Sequence, residues 1–220
     1  MSTPRSSNNV GGEPARRRAP KHDREVWISG TVVVADGATY GDSVLTTLVH
    51  VGPALGDGSQ KEGQRPVFKL GKGAKLQNII IGSNGADGVH CTSDAKLFNV
   101  WWSNVGEDAL TVKGAGNIEV IGGGALDAAD KVFQLNAPCK ILIRDFYADK
   151  FQTFVRVNGG QSFRNDITID GCHLRNGGRV VKTDSKDTRA ALINIDLVKV
   201  GTVAEGPFKS LKKKDIRVFS

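Results

Sequence analysis

Short apolar segments alternate with polar, glycine-rich segments along the chain from Val26 onward. Within many of these segments apolar and polar residues alternate one by one, which is the pattern of a β-strand with one buried face. No segment keeps an apolar period of 3.6 residues over three turns, so the pattern argues against a helical domain. The sequence therefore predicts an all-β fold of many short strands. The adjacent Trp101 and Trp102 should then face opposite sides, one in the core and one at the surface.

One series of these segments repeats at a nearly constant spacing. Its equivalent apolar positions are separated by 21, 23, 22 and 26 residues. These positions are Val89, Leu110, Phe133, Val155 and Val181. We expect them to point inward and to stack, while one polar residue per repeat points outward. The outward residues are His90, Thr111, Gln134, Arg156 and Lys182.

A second series of segments has a similar repeat. Counted on Asn78, Asn99, Asn117, Lys140 and Asp166, its steps are 21, 18, 23 and 26 residues. Two interleaved series of strands with similar periods describe coils stacked along one axis, because a single unit is too short to bury its apolar face alone. The sequence therefore predicts a β-solenoid over residues 24–220.

Residues 1–23 have a different composition from the rest of the chain. They are rich in Ser, Asn, Gly, Pro and Arg and contain almost nothing to bury, which predicts a disordered basic arm. The arm lacks the apolar h-region of a Sec-type signal peptide, so either the sequence begins after a leader, or export uses another route, or the protein stays inside the cell. No run of about 18 apolar residues predicts a membrane span.

Three cysteines, Cys91, Cys139 and Cys172, are the only ones in the sequence. They are odd in number and have no CxxC spacing, so they indicate neither a zinc site nor a full disulfide framework. We expect them to be small buried thiols.

The net charge of +7 favours an acidic partner, such as nucleic acid, an anionic membrane surface or an acidic polysaccharide. Part of the excess lies in clusters at residues 16–18 and 209–214, and solvated tails are the favoured interpretation of both clusters. Basic residues do not alternate with aromatic stacking platforms, so a nucleic-acid binder would rest on charge alone. We therefore expect neither nucleic acid nor a membrane as the partner.

Acidic residues precede the strands of the first series at two successive repeats. Asp87 and Asp108 occupy equivalent corners, Glu107 adjoins Asp108, and Lys131 and Thr153 take the same corner in the next two repeats. Adjacent parallel strands lie about 4.8 Å apart, so the three carboxylates should crowd within one coil step. Crowded carboxylates stay ionised only around a cation. Oxygen ligands without His or Cys favour calcium over a transition metal.

The alternative to a calcium site is an acidic surface patch whose carboxylates pair with Lys113 or Lys131, and spacing alone does not decide between them. Calcium beside lysine and arginine suits the β-elimination of polygalacturonate. A cation on the sugar carboxylate makes the hydrogen on the neighbouring carbon, C5, more acidic and stabilises the charge that follows its removal.

Four segments carry a resemblance to a known family. They are LGDGSQKEGQRPVFKL (55–70), ADGVHC (86–91), NVWWSNVGEDALTVKG (99–114) and IGGGALDAADKVFQLN (121–136). They closely resemble the pectate lyases of polysaccharide lyase family three, and the resemblance covers residues 30–185. It implies a single-stranded right-handed parallel β-helix. It also implies a secreted, monomeric, calcium-dependent pectate lyase that acts on polygalacturonate of the plant cell wall.

The resemblance also implies roles for individual residues. The calcium (Ca2+) ligands it implies are Asp87, Glu107 and Asp108. The substrate-binding residues it implies are Lys113, Lys131 and Arg156, of which Lys131 and Arg156 are catalytic. Arg156 would accept the proton, which requires a basic working pH because a guanidinium is normally always protonated.

The segment FQTFVRVNGG (151–160) departs from the family pattern. The arginine is present as Arg156, but Thr153 stands where the family has a functional lysine. This variant resembles the pectate-lyase-like domains of plant-pathogen harpins, which are exported by type III secretion. The alternative function is therefore a weakly catalytic or non-catalytic pectate-binding domain of a secreted virulence protein.

Overall fold

The computed structural model describes residues 17–158 and 163–220. This part of the chain contains β-strands and no α-helix, as the sequence predicts. In chain order the strands are β1 (Arg24–Ile28), β2 (Val32–Val34), β3 (Thr39–Tyr40), β4 (Thr47–Val51), β5 (Phe68–Leu70), β6 (Ala74–Ile81), β7 (Val89–Cys91), β8 (Ala95–Trp102), β9 (Asp108–Val112), β10 (Gly116–Ile121), β11 (Gly124–Leu135), β12 (Cys139–Arg144), β13 (Tyr147–Val157), β14 (Asn165–Asp170), β15 (His173–Lys182), β16 (Thr188–Glu205) and β17 (Ser210–Phe219). Of the predicted disordered arm, residues 1–16 lie outside the described residues.

The strands stack in parallel into a β-solenoid of about eight turns with three faces, which confirms the predicted fold class. The first face is formed by β1, β4, β6, β8, β11, β13, β15, β16 and β17. The second face is formed by β2, β5, β7, β9, β11, β13, β15 and β16. The third face is formed by β3, β6, β8, β10, β12, β14, β16 and β17. A long strand contributes to two or three faces because it bends at a corner.

Single residues with positive φ make several of these corners. Asn78 (φ 51°), Asn99 (φ 50°) and Asn194 (φ 50°) lie where the third face turns into the first. Asparagine tolerates this left-handed conformation better than most residues. The Asn99 Nδ2 donates a hydrogen bond to the Asn78 Oδ1 at 2.8 Å, so the corners of successive coils are also joined to each other.

The second repeat series is only partly right. Asn117, Lys140 and Asp166 are neighbours on the third face, as predicted. Asn78 and Asn99, however, are corner residues. The strand of Asn117 pairs instead with the segment that begins at Ala95. The step of 18 residues is irregular because it runs from Asn99, a corner residue, to Asn117, a strand residue.

The first repeat series is confirmed and forms the core. Its five apolar residues are in register on the second face and have no exposed surface. Phe133 is the largest of them. Its ring centroid lies 5.3 Å from that of Phe146 and 5.2 Å from that of Phe154, both in edge contact.

Phe133→Ala is expected to lower the free energy of unfolding by about 3–5 kcal/mol, because it leaves a cavity among these rings. Val33→Ala is the control, since Val33 is 68% exposed and its loss should change stability by less than about 0.5 kcal/mol. Urea unfolding followed by circular dichroism measures both variants. A Phe133→Ala variant as stable as Val33→Ala would show that the core does not depend on this ring.

An apolar cluster lies on the outside of the first face. It consists of Ile80, Trp101, Leu126 and Tyr147, with Leu48 and Ala19 packed against it. The expectation that one tryptophan lies at the surface is therefore wrong, because both are buried. Trp102 lies in the core. Trp101 points outward but is covered by this cluster, including the segment before β1.

The three cysteines are free and buried, as predicted. Burial raises the pKa of Cys139 and of Cys172 to about 12, and it raises the pKa of Cys91 as well. The thiols are therefore protonated and unreactive near neutral pH. Nothing in the described part of the chain forms a helix with the length and hydropathy of a membrane span.

Candidate active site

The second face carries the predicted polar residues in two adjacent columns. The outward column runs through His90, Thr111, Gln134, Arg156 and Lys182, one residue per coil. A second column, three residues earlier in each strand, runs through Asp108, Lys131, Thr153 and Arg179. Both columns agree with the register expected from the sequence, so the solenoid brings the acidic corner and the basic residues to the same face.

Two glycines allow the acidic corners of neighbouring coils to touch. A Cβ on Gly106 would lie 2.2 Å from the Ala86 carbonyl oxygen, and one on Gly88 (φ 46°) would lie 2.2 Å from the Ala109 carbonyl oxygen. Only glycine permits this approach. The Glu107 N–H then donates to the Ala86 carbonyl at 2.8 Å. The backbone therefore holds the segment before β7 directly against the segment before β9.

Asp87, Glu107 and Asp108 are all buried at this junction. One oxygen of Asp87 is 2.6 Å from the His90 Nε2. One oxygen of Asp108 accepts a hydrogen bond from the Thr111 hydroxyl at 3.3 Å, and its other oxygen lies 3.5 Å from the Lys131 Nζ. Each aspartate therefore has one local partner, while the pair with Lys131 is long.

Burial and mutual repulsion disfavour the ionised forms of these carboxyl groups. Burial raises the pKa of Asp108 to about 8, and repulsion by Asp87 adds to the rise, while the attraction of Lys131 is too weak to cancel it. Burial raises the pKa of Glu107 to about 7, and repulsion by Asp87 and a hydrogen bond to Glu62 act in the same direction. The nearby positive charge is therefore too small to keep all three carboxyl groups ionised.

The segment between β4 and β5 covers this junction. The Gln64 N–H donates to the Glu107 carboxylate at 3.1 Å, and the Gln60 side-chain amide donates to the Gly106 carbonyl. The Asp87 N–H donates to the Arg65 carbonyl at 3.2 Å. Sequence reasoning missed Glu62 and Gln64, since they lie in a segment outside both repeat series.

Residues 17–158 and 163–220 contain no group of three or more His, Cys, Asp or Glu side chains arranged to hold a metal ion. The three carboxylates are adjacent, but Asp87 is turned toward His90, Asp108 toward Lys131 and Glu107 toward Gln64. Several buried polar atoms on this face nevertheless have no hydrogen-bond partner among the described residues. They are Asp87 Oδ1, Asp108 Oδ1, Gln134 Oε1 and Arg156 Nη1. Unsatisfied buried atoms of this kind are costly, and their concentration on one face indicates a ligand site.

The two predicted catalytic residues are half-buried and charged. Burial acts to lower the pKa of Lys131, but a hydrogen bond to Asp130 and the attraction of Asp108 outweigh it and raise that pKa. Lys131 therefore acts as a positive charge and not as a base. The Arg156 Nη2 donates to the Asp184 carboxylate at 2.6 Å, and this hydrogen bond lowers the pKa of Asp184.

A groove of about 350 Å³ runs along this face. It is lined by Glu62, Asp130, Lys131, Gln134, Gln152, Thr153, Arg156, Asn158, Arg179 and Lys182. Four of these side chains are cationic and two are anionic, so the groove favours an anionic ligand. Lys113 lies outside this lining, exposed just after β9.

Comparison with known proteins gives a consistent assignment. Residues 16–213 match the family described as Pectate lyase. Probable pectate lyase E of Aspergillus fumigatus is 36% identical over 189 residues, which cover 82% of this chain and 69% of the relative. Pectate lyase E of Emericella nidulans is 39% identical over 166 residues, which cover 72% of this chain and 60% of the relative. The chain thus spans between a half and three quarters of these relatives.

The crystal structure of pectate lyase PelI from Erwinia chrysanthemi has the same fold. Its TM-score is 0.58 at 19% identity, covering 84% of this chain and 64% of PelI. The complex of PelI with tetragalacturonic acid matches with a TM-score of 0.53 at 21% identity, covering 83% of this chain and 62% of PelI. By its sequence match over residues 16–213, the chain belongs to the pectate lyase family.

Proposed function

We propose that this chain is a calcium-dependent pectate lyase that cleaves polygalacturonate by β-elimination. The observation that carries the proposal is the cationic groove of the second face, which is lined by Lys131 and Arg156 and in which Lys131 lies 3.5 Å from the buried carboxylate of Asp108. A polymer with a carboxylate on every sugar suits this groove. Family membership supports the same substrate class, and the relative PelI has been crystallised with tetragalacturonic acid.

Calcium would be held by Asp87, Glu107 and Asp108. The donor set fits, because all its atoms are carboxylate oxygens, two of them are buried without hydrogen-bond partners among the described residues, and mutual repulsion leaves the group short of positive charge. The Asp87 side chain would have to turn away from His90, and the Asp108 side chain away from Lys131, to converge with Glu107. When bound, the ion neutralises the substrate carboxylate and makes the C5 hydrogen more acidic.

The chain's own residues then position the sugar and move the proton. Lys131, which stays protonated, faces the negative charge that develops on the substrate carboxylate. In its neutral form, Arg156, whose Nη1 has no hydrogen-bond partner among the described residues, would take the C5 proton. The electrons of the C5–H bond form the C4–C5 double bond, the C4–O bond breaks, and the leaving oxygen takes a proton from solvent. Because a guanidinium is normally always protonated, this step requires a basic pH.

The proposal also includes the family subdivision, the cellular location and the oligomeric state. The motifs around Trp101 and Glu107 support membership of polysaccharide lyase family three. Because pectate is a polymer of the plant cell wall, we propose that the protein acts outside the cell, as a monomer.

A second candidate function is pectate binding without efficient cleavage, as in a harpin-like virulence protein. Thr153 favours it, because this buried residue places no charge beside Lys131. Without that cation the substrate carboxylate or the transition state would be held less tightly.

One experiment separates the two functions. Purified protein is mixed with polygalacturonate at alkaline pH, with calcium or with a chelator, and ultraviolet absorbance reports the unsaturated product. A lyase gives an absorbance rise that calcium supports and the chelator stops. Binding of polygalacturonate without any rise would select the second function, and absence of both would refute the whole proposal.

A further inference from the structure

The groove extends one coil beyond Arg156. In β15, Arg179 pairs with Thr153 and Lys182 pairs with Arg156. Both side chains line the groove. The groove therefore contains two cationic residues that the proposed chemistry does not use.

Thr153 leaves a gap in the inner column of the second face. It lies between Lys131 in the preceding coil and Arg179 in the following one. The threonine side chain is short and buried, so it presents no charge to the groove. Adjacent strands are about 4.8 Å apart, and an arginine side chain is long enough to reach across one such spacing.

A partly exposed ion pair with Glu205 holds Arg179 near the gap. The Arg179 Nε lies 3.1 Å from one oxygen of Glu205, and the Lys182 Nζ lies 2.9 Å from the other oxygen. The side chains of Arg179 and Glu205 are 28% and 43% exposed. Ion pairs this exposed contribute little to stability, so a carboxylate in the groove can compete for the guanidinium. Lys182 still neutralises Glu205 when Arg179 turns away.

We infer that Arg179 is a substrate-binding residue that supplies, from the next coil, the cation that Thr153 does not provide. Its ligand is the carboxylate of a uronate in the same polymer that Lys131 and Arg156 contact. A planar guanidinium with five donors suits a carboxylate. This inference rests on the proposed function, because it assumes that the groove binds polygalacturonate.

The test compares four full-length proteins: wild type, Arg179→Gln, Arg189→Gln, and the double variant Thr153→Lys with Arg179→Gln. Arg189 is the matched control, since it is 35% exposed, pairs with Asp166 at 3.5 Å and lies on the third face. Calorimetry with trigalacturonate and calcium gives Kd, and the ultraviolet assay gives kcat and KM. Thermal melts verify that each variant is folded.

Arg179→Gln is expected to raise Kd and KM roughly tenfold or more, as loss of a charged hydrogen bond does. Arg189→Gln should bind like wild type. In the double variant, the lysine introduced in place of Thr153 is expected to restore most of the lost affinity, which a merely structural role of Arg179 would not allow. An additional variant, Arg179→Lys, keeps the charge but loses the planar guanidinium and should bind between wild type and Arg179→Gln.

Failure of this inference differs from failure of the proposed function. An unchanged Kd in Arg179→Gln, or no recovery in the double variant, overturns the inference while wild-type cleavage still supports the lyase. If wild type binds trigalacturonate but forms no unsaturated product, the lyase proposal falls and the Kd comparison still decides the role of Arg179. If wild type does not bind it at all, both are overturned.

Discussion

Arg156→Lys is expected to reduce the rate of unsaturated-product formation by about 100-fold to 10,000-fold, the usual contribution of a residue that transfers a proton. The lysine keeps a positive charge in the groove. It removes the planar guanidinium, whose Nη1 is buried without a partner among the described residues and whose Nη2 holds Asp184. Binding should therefore suffer much less than turnover.

The measurement is the initial rate at alkaline pH with saturating calcium and polygalacturonate. Arg144→Lys serves as the control, because Arg144 also pairs with an aspartate, Asp170 at 3.3 Å, but lies on the third face away from the groove. If Arg156→Lys keeps more than a tenth of the wild-type rate, another group must accept the proton.

Asp108→Asn is expected to weaken calcium binding by at least about 100-fold, since even outer partners of metal ligands cost up to that much when they are lost. Asp108 contributes a buried oxygen without a hydrogen-bond partner among the described residues, and an amide cannot replace its charge. Because an ion that binds only the folded state raises the melting temperature, calcium should stabilise the wild type but not this variant.

Calorimetric titration with calcium and thermal melts with and without a chelator provide the two readouts. Asp130→Asn is a demanding control, because Asp130 also contacts Lys131 but is half-exposed and is not a proposed ligand. It should retain the calcium response. Equal calcium affinities for wild type and Asp108→Asn would refute the proposed ligand set.

The fold and the register of the second face could be predicted from the sequence for a physical reason. In stacked parallel coils a side chain that points inward in one coil lies directly over its equivalent in the next. The alternation around Val89, Leu110 and Phe133 therefore fixed both the core and the outward column. Once these positions were aligned, Asp108 and Lys131 had to be neighbours.

Other parts of the site depend on contacts that leave no periodic signal. Gln64 reaches Glu107 from a segment of a different coil. Glu205 holds Arg179 from 26 residues further along the chain, in the following coil. The burial of Trp101 likewise depends on Ala19, which lies before the first strand. Strand periodicity reports which face a residue occupies, but not what a distant segment places over it.

The register of the second face also has a consequence for insertions and deletions. Apolar and polar side chains alternate along each strand of this face, so one added residue inside a strand would reverse which side chains face solvent in that coil. In β13, for example, such an insertion before Phe154 would turn Arg156 toward the core and a valine toward the polymer. Whole coils, by contrast, could be gained or lost without changing the phase of those that remain, so the length of polymer that the groove contacts is set in units of one turn.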